Sequence, residues 1–522
     1  MALAVIWVSV GVGVVLGLWQ RVAKRTTGPV RTFAVVAAGL VVAFSLLPHA
    51  IASEGLLGLC VALGSVALVP ALERLVRVPF RNVNAEGLRL ELGFAGLLVH
   101  RFGDGVVMAV EGHGHELSWA VGAHEIPIVA LVTLAYARRG LWPALARALL
   151  LGLASSVGLW VVRAMPGTWH ELHGWVDAIA AGILVHILAY EALPESLETA
   201  RERAFDGLGA VLGLSIVLWP TLEDQPDVPN VARRVLEAAL QAAPFLVVGL
   251  AGSAALLVYR RRSQQSPVTP TVSPGRPWPA LEAFTLAAGA LGWFAVAGYA
   301  LVATLLARIG ALGVKHLSRP ATSGDTAPPR AESPGFWATI EGLLLRVGGW
   351  IAVGLLAACY IDSFVPGGLP LQTVGVAARA AFVAALAIPA SVCTGGAVPI
   401  AAALASKGLS PVLAVGGLVI GPLLSDILGG LARAGLDTRR AALWLAPLAL
   451  GGLALAVWLD DVLMPAPLST APRLAASAID WAALAGLVGL GARNVWRVGV
   501  RGWLGSSLRA LGPVTRRHAH AH

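Results

Sequence analysis

The chain has 522 residues, 57% of them hydrophobic and 13% charged, with mean hydropathy +0.76 and a net charge of +9. A soluble domain carries about 25% charged residues, so this composition excludes an ordinary soluble globular protein. The apolar runs are long and continuous and do not alternate, which points to an all-α, polytopic helical membrane protein and excludes a β-barrel.

The first apolar segment, Leu3–Trp19, has no basic residue before it and no small-residue cleavage site after it. It reads as a retained helix and not as a signal peptide. Arg21, Lys24, Arg25 and Arg31 place the following loop in the cytoplasm. The next helices are Thr32–Leu47, ended by Pro48-His49, and Glu54–Leu72, followed by the basic loop Glu73–Arg89. Helices four and five centre on Leu97–Val110 and Leu117–Ala137. Trp142–Arg163, Trp175–Leu193 and Gly207–Trp219 complete a set of eight, with both ends outside. The basic loops orient the chain in a bilayer and do not suggest a nucleic-acid surface.

Helices four and five carry groups that lipid does not tolerate alone. Helix four reads Val99-His100-Arg101-Phe102-Gly103-Asp104-Gly105, with His100 and Asp104 four apart on one helical face. Helix five opens with Ala123-His124-Glu125-Ile126-Pro127-Ile128, where Pro127 frees a backbone carbonyl. Ionisable groups inside a bilayer face a bundle interior, a partner or a bound ion. Two imidazoles and two carboxylates form a donor set suited to zinc or a similar divalent ion. The alternative is a pair of internal hydrogen bonds. Near the outer mouth, His113 and His115 alternate in a Gly-rich turn, and His170, His173 and Asp177 share one helical face. These either collect cations or are ordinary loop residues. The tail, with His518, His520 and His522, is a weak metal binder or a disordered terminus.

The pattern His-x-x-x-Asp-Gly followed by His-Glu-x-Pro resembles the fourth and fifth helices of the Zrt/Irt-like (ZIP) divalent-metal transporters. Ala181-Gly182-Ile183-Leu184-Val185-His186, running on to Glu191-Ala192-Leu193-Pro194-Glu195, is similar to that family's seventh helix. The resemblance implies an eight-helix membrane domain over residues 1–228 that moves a divalent metal toward the cytoplasm. It carries over His100, Asp104, His124 and Glu125 as ligands, with His186 and Glu191 as outer or pathway residues. The orientation read from the arginines is the family's own. Two positions depart from the family pattern: Arg101 replaces an Asn, and Ile128 replaces a His or Glu. A fixed cation at Arg101 repels a second metal in a low dielectric, so one metal is expected. In its absence Arg101 is expected to pair with Asp104 or Glu125. Ile128 also breaks the His-Glu-x-x-His of a zinc protease, so no enzyme and no organic cofactor are expected.

Residues 229–522 form the second expected domain. Helix nine is Val235–Tyr259 and helix ten Leu281–Leu306, with flexible linkers near 260–280 and 308–335. Both linkers are basic, yet one span separates them. Either helix ten hides a re-entrant turn near Gly289-Ala290-Leu291-Gly292, or one linker lies outside. Further apolar runs are Ile340–Ile361, Val374–Val392, Leu409–Leu431, Ala441–Trp458 and Ala475–Leu490, for roughly fifteen spans in all. Ser391-Val392-Cys393-Thr394-Gly395-Gly396, leading to Lys407-Gly408-Leu409-Ser410-Pro411 and Gly421-Pro422, resembles the core of the ArsP-like predicted permeases. That resemblance implies efflux of a thiol-reactive solute near Cys393, although the family's first-repeat cysteine is missing here. Thr394-Gly395-Gly396 between Pro389 and Pro399 reads as a broken helix, of the kind that holds substrate, or as a packing seam. Asp426 is a costly intramembrane charge, with Lys407 either its candidate partner or the mark of a loop. Cys60, Cys359 and Cys393 form neither a disulfide framework nor a thiolate zinc site.

The reading is therefore a cell-membrane transporter of a divalent metal, with the bilayer, the cation and a homodimeric copy as partners. A C-terminal efflux permease and a non-transporting metal sensor are the rivals.

Overall fold

The computed structural model describes residues 2–22, 27–77, 85–110, 115–137, 139–164, 174–185, 199–221, 230–263, 281–291, 335–366, 375–433, 438–463, 476–500 and 502–503. Among them every regular element is helical. Five helical stretches are long and apolar enough to cross a membrane: Ala2–Trp19, Val35–Glu54, Leu141–Ala164, Val231–Tyr259 and Phe336–Phe364. Large apolar side chains such as Val15, Trp160, Val248 and Ile479 lie exposed along the helices. Exposed apolar surface on this scale suits lipid and not water. The chain divides into two compact units. Unit 1 is Met1–Arg233 with Val495–Gly505, and unit 2 is Arg234–Asn494 with Ser506–His522.

Unit 1 contains α1 (Ala2–Val22), α2 (Thr27–Val41), a π-helical turn (Val42–Leu46), α3 (Leu47–Glu54), α4 (Leu56–Arg77) and α5 (Ala85–Val110). It continues with α6 (His115–Ala137), α7 (Leu141–Ala164), α8 (Gly174–Val185) and α9 (Ala200–Thr221). Pro48-His49 does not end the second apolar helix, contrary to the sequence expectation. A proline clashes with the carbonyl four residues back. Here the turn before it is widened, and the Leu47 amide donates to the Val42 carbonyl, five residues back. The helix then runs on to Gly55, whose φ of 63° reverses the chain into α4.

Glycines set how closely these helices approach, and their neighbours give the helix directions. Gly122 of α6 lies against Val5 and Ser9 of α1, while Gly17 of α1 lies against Ala130 and Thr133 of α6. The register rises together, so α1 and α6 run parallel. Gly96 and Gly103 of α5 meet Ile183 and Val176 of α8, so that pair runs antiparallel. Gly174 meets Ser53 and Glu54, and Gly182 meets Ala62 and Ser65, so α4 and α8 run parallel. Between α5 and α7, Gly105 touches the Ser155 backbone and Gly158 the Phe102 backbone, while Arg147 reaches Glu91 further along. That pair also runs parallel. All of these relations fit consecutive helices that alternate in direction.

Depth follows from α7. Trp142 and Trp160 are exposed near its two ends, about 27 Å apart at 1.5 Å per residue. That spacing matches two interfacial aromatic belts across a hydrocarbon core of about 30 Å. Arg101, one turn back from Gly105 on α5, lies near the level of Leu153 on α7. It is within a turn of the midpoint between the two tryptophans.

Unit 2 holds α10 (Val231–Ser263, from Arg234 on), α11 (Leu281–Leu291), α12 (Phe336–Phe364), α13 (Val376–Val392) and α14 (Thr394–Ser406). It also holds α15 (Pro411–Arg433), α16 (Thr438–Leu463) and α17 (Ala478–Val498, to Asn494). Its core includes Leu286, Leu355, Leu386, Val398 and Leu418. Cys393 is extended (φ −152°, ψ 110°) and separates α13 from α14. Gly416, Gly417 and Gly421 of α15 meet Val383, Leu386 and Ala387–Ser391 of α13, so these two helices run parallel. Gly395 of α14 lies by Ile351 of α12, and Lys407 just past α14 bonds Asp362 near the end of α12, so these two also run parallel. Gly416 meets Ala456 and Gly452 meets Ile420, which makes α15 and α16 antiparallel. The first linker begins later than expected, since α10 runs on to Ser263; residues 264–280, the second half of helix ten, residues 308–334 and the histidine tail lie outside the described residues.

Candidate functional site

The centre of unit 1 is built on α5 and α6. His100, Arg101, Asp104 and Glu125 are all buried, with Arg101 and Glu125 at 0% exposure. Two successive positions of α5 supply an imidazole and a guanidinium, and a third, one turn on, a carboxylate. Glu125 comes from the third turn of α6, which begins at His115, two residues before the Leu117 expected from sequence. The Arg101 guanidinium forms an ion pair with Glu125 through Nη1 and Oε1. The same Nη1 lies 3.5 Å from Asp104 Oδ2. His100 Nε2 lies 3.5 Å from that same oxygen. Asp104 therefore sits between the imidazole and the guanidinium.

With His100 neutral, these groups sum to one negative charge. Removing a charge from water costs several kcal/mol even after relaxation, so an isolated carboxylate at 0% exposure would be untenable. Arg101 supplies the compensation, and both carboxylates are oriented toward a cation. Among the described residues no group of three or more His, Cys, Asp and Glu is placed to hold a metal. The guanidinium lies where a metal bridging Asp104 and Glu125 would have to sit. A divalent ion added beside it would leave a net charge of +1, whereas an ion in its place would be balanced by the two carboxylates. Charge thus favours exchange over co-occupancy.

Other expected residues are placed less fully. His124 and His115 lie in α6 and Asp426 in α15, but their side chains are outside the description. His113, His170, His173, His186 and Glu191 fall outside the described residues. Asp177 is buried in α8 and is not a mouth residue as expected. Its Oδ2 lies 2.8 Å from His49 Nδ1, next to Pro48 in the continued second helix. By the α5–α8 register, Asp177 is level with Phe102, the same depth as the first cluster. Pro48 hid this pair, because it reads as a helix end; the chain stays helical through it and so brings His49 to Asp177.

Asp206, fully buried in α9, was also missed. It accepts from the Thr32 hydroxyl and, at 3.0 Å, from the Val500 amide. That second bond ties residues 495–505 into unit 1. At the other end of α5, Glu91 bridges Arg139 (3.1 Å) and Arg147 (2.9 Å). The Arg147 guanidinium also stacks over Phe94 and Tyr136, which fastens α5, α6 and α7 together.

In unit 2, Lys407 occupies the turn after α14. Its Nζ donates to the Asp362 carbonyl at 2.8 Å and lies 3.6 Å from the Asp362 carboxylate. Arg234 pairs with that carboxylate at 2.9 Å. Lys407 marks a loop, the other reading offered for it beside pairing with Asp426, and the turn brings it to Asp362 near the end of α12. Cys393 and Thr394 are half-buried at the break, and Cys359 is buried. No protein-family model, curated protein or solved structure matches the chain.

Proposed function

We propose that the chain is a secondary transporter of a divalent metal cation, zinc or a close analogue, in the cell membrane, working through unit 1. One observation carries the reading: a buried guanidinium held between Asp104 and Glu125 at the mid-depth of an apolar bundle. Such a site is shaped and charged for a cation, and transporters place substrate sites near the midplane. Arg101 is the resident cation of the metal-free state. The incoming metal takes Asp104 and Glu125, with His100 and His124 as nitrogen donors, and the guanidinium withdraws. Metal and arginine therefore exclude one another, and a single metal is carried per cycle. The roughly fifteen spans and the residues 1–228 as the carrier domain belong to the same reading.

The test is radioactive zinc uptake into proteoliposomes. Wild type is expected to accumulate zinc, and Glu125→Gln to lose at least about tenfold of the rate, as for loss of one ligand or its support. Arg101→Gln is expected to bind zinc more tightly than wild type. Absence of zinc binding in both wild type and Arg101→Gln would sink the reading.

The extended break at Cys393 favours a second reading, in which unit 2 exports a thiol-reactive solute and unit 1 is a scaffold. Loss of solute export on Cys393→Ser, with zinc uptake absent throughout, would select it.

A further inference from the structure

The lengths and directions of four helices in unit 2 do not describe four ordinary spans. Antiparallel to α13 and α15, α12 ends at the face marked by Asp362 and Lys407. From that end α13 runs inward for 17 residues and stops at Cys393. With only 13 residues, α14 begins there and finishes at Ser406, next to Lys407. Two independent registers require it to run back the way α13 came. From Gly395 to Lys407 it advances about 18 Å while α12 advances about 17 Å from Ile351 to Asp362, at 1.5 Å per residue. It must also reach Pro411, which starts α15 about 15 Å before the Gly421 level at which the break is packed.

The break is therefore the tip of a helical hairpin and not a joint in a crossing helix. Beyond the tip, α12 continues to Phe336 for about 22 Å, and α15 continues to Arg433 for about 18 Å. The tip stands near the middle of both. Glycines clamp it on two sides: a Cβ on Gly354 of α12 would fall 1.8 Å from the Gly396 carbonyl oxygen, and one on Gly421 of α15 would fall 2.3 Å from that of Ala387.

We propose that α13 and α14 form a re-entrant hairpin that enters and leaves the bilayer by one face, with its Ser391–Thr394 tip at mid-depth and opening onto water. The last step follows from backbone chemistry. The Gly396 and Ala397 amides donate to the Cys393 carbonyl, whereas those of Thr394 and Gly395 precede the first helical bonds of α14, and irregular backbone at membrane depth persists only when buried in protein or lining a water-filled cavity. Gly395–Val398 are buried in protein, but Ser391, Val392, Cys393 and Thr394 in front of them are each only partly buried, so the tip itself is not sealed in protein. The tip is then the floor of an aqueous vestibule in unit 2, and a polar solute entering that vestibule would meet it first. The inference does not depend on metal transport by unit 1.

Two measurements on the full chain in sealed proteoliposomes of fixed orientation test it. In a background with Cys60, Cys359 and Cys393 changed to Ser, single cysteines are placed at the exposed ends, Gly375→Cys and Ser406→Cys. An impermeant maleimide is expected to label both or to spare both. Labelling of one alone would show a crossing helix and overturn the hairpin. Val376→Cys replaces Gly375→Cys should the latter not yield folded protein. In wild type, an impermeant methanethiosulfonate is expected to modify Cys393 at least about tenfold faster than the buried Cys359, as thiol access dictates. Modification of Cys393 only by a lipid-soluble reagent would overturn the vestibule.

Discussion

The two units introduce polarity into an apolar bundle by opposite means. Unit 1 buries whole charges: Arg101, Asp104, Glu125, Asp177 and Asp206 all lie below 5% exposure, and all but Asp104, which meets His100 and Arg101 of its own helix, have a partner on another helix. In unit 2 the described ion pairs sit toward helix ends or against exposed partners. Arg234–Asp362–Lys407 and Arg379–Asp460–Asp461 are of the first kind, and buried Glu341 with exposed Arg493 is of the second. Its interior is interrupted by backbone at Cys393. A buried charge binds strongly but demands compensation at every moment. A broken backbone offers weaker, exchangeable dipoles at little electrostatic cost. The first suits a small cation, and the second suits a larger or neutral solute.

The comparison can be broken most sharply at the helix contacts on which both devices rest. Gly105→Val in unit 1 and Gly354→Val in unit 2 each drive a side chain into facing backbone. Each is expected to cost more than about 3 kcal/mol, read as loss of monodisperse protein in detergent. Next comes Arg101→Ala, which takes the guanidinium away from two buried carboxylates and should destabilise by about 3–5 kcal/mol in thermal unfolding. Zinc is expected to recover much of that loss in the variant and little in wild type. A smaller effect is expected for His49→Ala, about 1–3 kcal/mol, because it removes one hydrogen-bonding partner of Asp177. The smallest belongs to the rim. Arg234→Ala breaks a pair between groups about one-third exposed and should shift stability by no more than about 1 kcal/mol. A rim effect as large as that of Arg101→Ala would erase the distinction between the units.

The helical class and the buried polar positions His100, Asp104 and Glu125 were legible because lipid makes them conspicuous among apolar neighbours. So was the pairing of Arg101, since charge balance allows a buried arginine few alternatives. What sequence left hidden is set by distant packing. Pro48 looks like a terminator until the π-turn before it is known. Cys393-Thr394-Gly395-Gly396 signals a break, but the direction of the chain after it depends on Gly354 and Gly421, which lie on other helices. Lys407 and Asp426 invite pairing along the sequence, whereas Lys407 meets Asp362 through the turn in which it sits. Asp206 gave no signal, because its partners Thr32 and Val500 are remote in the chain.

The parallel contact between α1 and α6 has a consequence for biogenesis. The face of α1 carrying Gly13 and Gly17 is completed by residues 126–133, more than a hundred positions later. At synthesis rates of about 5–20 residues per second, the first helix waits on the order of 5–20 seconds for its mate. During that interval its groove is open to lipid or to whatever helices the insertion machinery offers. A ribosome stalled before Ala137 would therefore leave a nascent chain whose leading helix is inserted but not docked.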